Sequence, residues 1–130
     1  MSTSTQYHSF EEAFEPLIEK AKFELSKLKN FTNGQIIVML SAKGKLYSFI
    51  EGEVCTMCAP DRDLAFLDKL VEEKDTQIER LICMWAGGGF DLPSYTFRKK
   101  LCQINQANLN TKMLLQGEYY LIEKTITQTF

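Results

Sequence analysis

The uninterrupted apolar run Ile36-Ile37-Val38-Met39-Leu40 constrains this chain more than any other stretch. Successive side chains of a β-strand point to opposite faces, so a strand with no polar position needs cover on both. Ala42-Lys43-Gly44-Lys45 follows as a tight reversal, and Leu46-Tyr47-Ser48-Phe49-Ile50 as a returning strand. That is the pattern of a β-hairpin whose first strand is central. A sheet built around it needs helices on its faces.

The remaining segments supply them. Ser9, with Glu12 three positions on, forms a capping box, and Phe10, Phe14, Leu17, Ala21, Leu25 and Leu28 recur at helical spacing behind it. Residues 1–8 are expected to be a flexible N-terminal segment. Pro16, without an N–H, predicts a kink or a later start. Asn33-Gly34 reads as a turn. A second helix is predicted from Pro60 to Glu73, with Asp61 and Asp63 at its positive end and Leu64, Leu67, Leu70 and Val71 facing inward beside Phe66. Ile78 to Ala86 is a buried strand, and Gly87-Gly88-Gly89-Phe90-Asp91 a flexible loop. A third helix runs from Pro93 to Ala107 on Phe97, Leu101 and Ile104. Thr111 to Gln116 and Tyr119 to Ile126 are closing strands around a turn at Gly117-Glu118. The order α-β-β-α-β-α-β-β predicts an α/β fold, a single mixed β-sheet of about five strands with three helices.

At 130 residues the chain is read as a single domain over 1–130. Seventeen acidic residues against fifteen basic ones give a net charge of -2, which argues against nucleic acid as the main partner. No apolar run approaches the roughly 20 residues that cross a bilayer, which argues against a membrane. The polar start Met1-Ser2-Thr3-Ser4-Thr5 lacks a hydrophobic signal core, and the cysteine pattern suits a reducing compartment, so the expected localisation is cytoplasmic.

Cys55 and Cys58 stand at metal-ligand spacing just before the second helix, and Cys83, Cys102 or His8 are the residues that could extend such a set. A second pair with matching spacing is absent, so the pair alone is a weak zinc candidate. A redox pair is the middle option, since a helix start lowers a thiol pKa. Cys83 and Cys102 read as small buried hydrophobes, and His8, next to the capping Ser9, as a surface residue. Gly88 and Gly89 before Asp91 and a helix start could bring backbone amides to an anion; the simpler reading is a mobile connection. Trp85, Phe90, Tyr95 and Phe97 could stack a flat ring, and Arg98-Lys99-Lys100 reads as a solvated helix face.

The element order resembles the cytidine deaminase-like fold. In that family a hairpin leads into a first ligand helix opening on Cys-Ala-Glu or His-Ala-Glu, and a later helix opens on Pro-Cys-x-x-Cys. Here Met57-Cys58-Ala59 holds the first place and Pro93-Ser94-Tyr95-Thr96-Phe97 the second. The family's chemistry uses three zinc ligands, a bound water and a glutamate that shuttles protons. Of the ligands Cys58 matches; serine and phenylalanine stand where the cysteines would be. The glutamate position falls on Pro60, or on Asp61 with one residue inserted. The resemblance thus implies a deaminase-like domain with no cofactor, acting by binding a small nucleotide-like ligand or a protein partner, and assembling as a homo-oligomer, a dimer or tetramer. Candidate ligand-binding residues are Gly88, Gly89, Asp91, Ser94 and Tyr95. The rival is an atypical deaminase or hydrolase on a nucleoside-like substrate using Cys58 and Asp61 as catalytic residues. A third reading is an immunity-type or inhibitor protein.

Overall fold

The computed structural model describes residues 2–27, 34–51, 62–115 and 118–126. Its elements are α1 (Ser2–Ser26), β1 (Gln35–Ser41), β2 (Leu46–Glu51), α2 (Arg62–Glu72), β3 (Ile78–Trp85), β4 (Phe90–Asp91), α3 (Tyr95–Ile104), a 3₁₀ turn (Gln106–Asn110), β5 (Lys112–Leu115), β6 (Glu118–Leu121) and α4 (Ile122–Ile126). The strands form one mixed sheet in the order β2-β1-β3-β5-β6. β3 runs parallel to β5, and the other pairings are antiparallel. Because β1 flanks β3 along its whole length, β4 shares the opposite edge of β3 with β5: β5 takes Arg80 and Leu81, β4 takes Cys83 and Met84.

The apolar run behaves as its composition requires. Ile36 and Val38 pack with Phe14, Leu17 and Ala21 of α1 on one face. Ile37 and Met39 pack with Leu67 and Leu70 of α2 and with Phe97 and Leu101 of α3 on the other. The sheet is the middle of three layers, and each fully buried large side chain contributes about 1.5–3 kcal/mol. Val71, expected to face inward, is 49% exposed. No described helix is long and apolar enough to cross a membrane.

The expected order holds, with two additions and several shifted ends. The glycine stretch 87–89 is an ordered hairpin tip, not a flexible loop. Trp85 N–H donates to the Gly89 carbonyl at 2.7 Å and Gly88 N–H to the Trp85 carbonyl at 2.8 Å, closing a turn in which Gly88 takes φ 110°. That left-handed value is what glycine allows. The second addition is α4: the predicted last strand stops at Leu121, where Ile122, fully buried, donates its N–H to the Thr111 carbonyl and turns the chain helical. α1 begins at Ser2 rather than after Ser9, there being no glycine or proline in residues 2–8 to stop a helix, and it runs past Pro16. The side chains of His8, Ser9 and Phe10 lie outside what is described. α3 ends at Ile104 rather than Ala107, because Asn105 adopts φ −161°, ψ 114° and turns its side-chain oxygen to Ala107 N–H.

Candidate functional site

The chain leaves β2 at Glu51 and β3 at Trp85, and both pair with Gln35. The connections to α2 and α3 therefore start at one end of the sheet, and the two helices pack against each other on the same face. This is the carboxyl end of β3, where α/β sheets hold ligands. Cys55, Cys58 and Asp61 lie outside the described residues, so the described part of this end belongs to β3, β4 and the start of α3.

Here most candidate polar groups serve local structure. Ser94 caps α3: its Oγ accepts the N–H of Phe97 at 3.1 Å, satisfying one of the donors a helix start leaves without a partner. Asp91 accepts from the Trp85 indole N–H at 3.3 Å and from the N–H of Leu92 at 2.7 Å. Gly88 spends its amide on the hairpin tip. Tyr95 stands 37% exposed at the first turn of α3, with the Arg98 guanidinium 5.8 Å and the Lys99 ammonium 5.7 Å from its ring centroid.

Arg98 is not part of a solvated face. It is half-buried, donating from Nε to the Pro93 carbonyl at 2.9 Å and from Nη1 to the Thr125 carbonyl at 3.2 Å, so it ties the start of α3 to α4. Burial lowers its pKa, with Tyr95 and Asp91 acting in the opposite direction. The four rings singled out in the sequence do not gather either. Phe97 is buried under α2 and α3, Phe90 packs with the α1 layer on the other face, and Trp85 and Tyr95 are exposed. Cys83 is fully buried in the core, and burial pushes the Cys102 thiol pKa up, which suits packing rather than metal binding.

A zinc ion, the group this fold family implies, does not fit the residues at the start of α3. Ser94 Oγ is already accepting from Phe97 N–H, and Phe97, 1% exposed, carries no donor atom. Among the described residues no group of three or more His, Cys, Asp and Glu side chains converges.

Sequence reasoning missed two polar clusters at the opposite end. Tyr47, buried on β2, donates to Asp75 Oδ2 at 2.9 Å and to Glu73 Oε1 at 3.1 Å, and Lys45 pairs with the same Glu73 oxygen. Asn108, fully buried in the 3₁₀ turn, accepts from Ile78 N–H at 2.7 Å and donates to the carbonyls of Thr76 at 2.8 Å and Leu101 at 2.9 Å. No local spacing announces either cluster, because the partners lie far apart in the chain.

A mixed sheet in this order, with α1 on one face and α2 and α3 starting from one end on the other, is the cytidine deaminase-like fold. The chain superposes on the crystal structure of cytidine deaminase from Mycobacterium leprae with a TM-score of 0.62 at 12% identity, covering 85% of this chain and 93% of that one. A single-residue variant of cytidine deaminase from Mycobacterium tuberculosis gives a TM-score of 0.63 at 12% identity, over 86% of this chain and 90% of that one. No family model matches the sequence, and no curated protein does.

Proposed function

We propose that this chain is a deaminase-like domain that acts by binding rather than by zinc-assisted hydrolysis. The observation that supports this reading is the start of α3: Ser94 serves as a helix cap and Phe97 as core, where the fold family carries metal ligands. What remains open to solvent there is Trp85, 42% exposed, and Tyr95 with Arg98 and Lys99 around its ring. An exposed ring flanked by cations, as Tyr95 is, suits a flat, negatively charged molecule, so a small nucleotide-like ligand is the favoured partner.

The chain has a single tryptophan, which makes Trp85 fluorescence a direct reporter. Titration with nucleoside monophosphates is expected to change that signal saturably, with no ammonia released. Metal analysis of the purified protein is expected to find zinc well below stoichiometry. About one zinc per chain, lost on Cys58→Ala, together with ammonia release from cytidine, overturns the reading.

A further inference from the structure

A groove of about 330 Å³ opens at the amino ends of β3 and β5, the far end of the sheet from the start of α3. Its polar lining comes from Gln77, Glu79, Arg80, Asn110 and Lys112. Two features of the backbone shape it. Leu40 pairs with Arg80 but Ser41 with Ile78, so Glu79 is the extra residue of a β-bulge. The bulge lets Ile78 join Leu81 and Cys83 in the core and leaves the Glu79 carboxylate 3.9 Å from Arg80 Nη1.

The second feature is the register of the parallel pair. Arg80 and Lys112 are direct partners, and partners share a face, so two cationic residues meet on neighbouring strands, the Lys112 ammonium resting 5.5 Å from the Tyr119 ring centroid. Like charges so placed destabilise a sheet. Glu79 offsets this weakly, since its side chain is 50% exposed and its contact long. Arg80 is the more enclosed cation, its side chain 27% exposed. The ground beneath is fixed: Ile78 donates its N–H to Asn108 Oδ1 at 2.7 Å and accepts at its carbonyl from Thr111 Oγ1 at 2.7 Å. The cations therefore rise from a backbone held in place before any ligand arrives.

We infer that this groove binds the phosphate of a small phosphomonoester, independently of the ligand proposed at the other end. Arg80 offers a planar fork for two phosphate oxygens and Lys112 a point charge, while Gln77 and Asn110 add neutral amide donors. Glu79, at the same lining, accepts from a hydroxyl of the esterified portion. The volume lies at the small end of the about 300–1,000 Å³ typical of ligand pockets, which suits a small molecule rather than a polymer.

The test is an amide NMR titration at constant ionic strength with ribose 5-phosphate, inorganic phosphate and ribose. Saturable shifts are expected at Arg80, Asn110 and Lys112, stronger with ribose 5-phosphate than with inorganic phosphate and absent with ribose, while the Trp85 indole signal stays in place. Arg80→Gln and Lys112→Gln are each expected to weaken binding by roughly tenfold or more, and Lys112→Arg to retain it, with spectral dispersion reporting that each variant is folded. Shifts that stay linear in concentration, that persist in both glutamine variants, or that are no stronger for the ester than for inorganic phosphate overturn the inference.

Discussion

Every polar atom of the Asn108 side chain has a backbone partner: it accepts from Ile78 N–H and donates to the carbonyls of Thr76 and Leu101. Asn108→Ala leaves Ile78 N–H and the Leu101 carbonyl facing a void, at a cost of about 2–4 kcal/mol. A lower urea midpoint at unchanged slope is the expected result; an unchanged midpoint means that water replaces the amide. Asn108→Asp is expected to be no milder, because it keeps the acceptor, loses both donated bonds and buries a charge. This residue was not legible in the sequence. Ala107-Asn108-Leu109 looks like the tail of a helix, and the strand start that needs an acceptor is reached only through the fold. Ser94 is the opposite case. A serine just before a helical run is a cap signature, and the Phe97 amide three positions on is the donor that it satisfies.

At the scale of elements, the reversal between β1 and β2 is fastened to the end of α2 through Lys45, Tyr47, Glu73 and Asp75, with Lys43 Nζ also donating to the Lys74 carbonyl at 2.8 Å. The Lys45 ammonium, then the Tyr47 hydroxyl, holds the Glu73 carboxyl below its ordinary value. A carboxyl whose pKa is lower in the folded state stabilises the fold above its unfolded pKa, and that contribution is lost as pH falls through the lowered value. Burial, then the hydrogen bond to Asp75, raises the Tyr47 pKa, so its contribution is lost instead as pH rises above the ordinary tyrosine range of about 10. Urea midpoints measured against pH are expected to fall at both extremes. Glu73→Gln is expected to flatten the acid limb below about pH 4.5 and to weaken the alkaline one only in part, since burial and Asp75 still raise the Tyr47 pKa; an unchanged acid limb refutes the assignment. Element types were largely readable, because periodicity at Phe14, Leu17 and Ala21 and the run from Ile36 to Leu40 report burial directly. The end of the chain was not. Thr125 and Ile126 favour strands by propensity, but the buried Ile122 and its bond to Thr111 decide for a helical turn.

For the molecule as a whole, the two-sided sheet was implied by the composition of one strand, whereas the meeting of Arg80 with Lys112 needed the parallel register that only the fold supplies. The sheet is also unevenly joined. β1 pairs with β2 and β3 along its length, while β5 meets β3 through the partners Arg80↔Lys112 and Leu81↔Met113. Hydrogen exchange is therefore expected to be slowest at Ile37, Val38 and Ile82, and to proceed at lower opening free energy at Tyr119, Tyr120 and Leu121. Equal protection across the sheet excludes a separately opening β5–β6–α4 unit. The tip between β3 and β4 has a different significance. It is closed behind by the bonds between Trp85, Gly88 and Gly89, and a Cβ added at Gly87 would meet no atom within 4 Å. Extra sequence spliced in there would extend from a pair of strands already locked together. The hairpin tip is thus where this domain can accept a longer insert, or a grafted recognition loop, without disturbing either of its two cores.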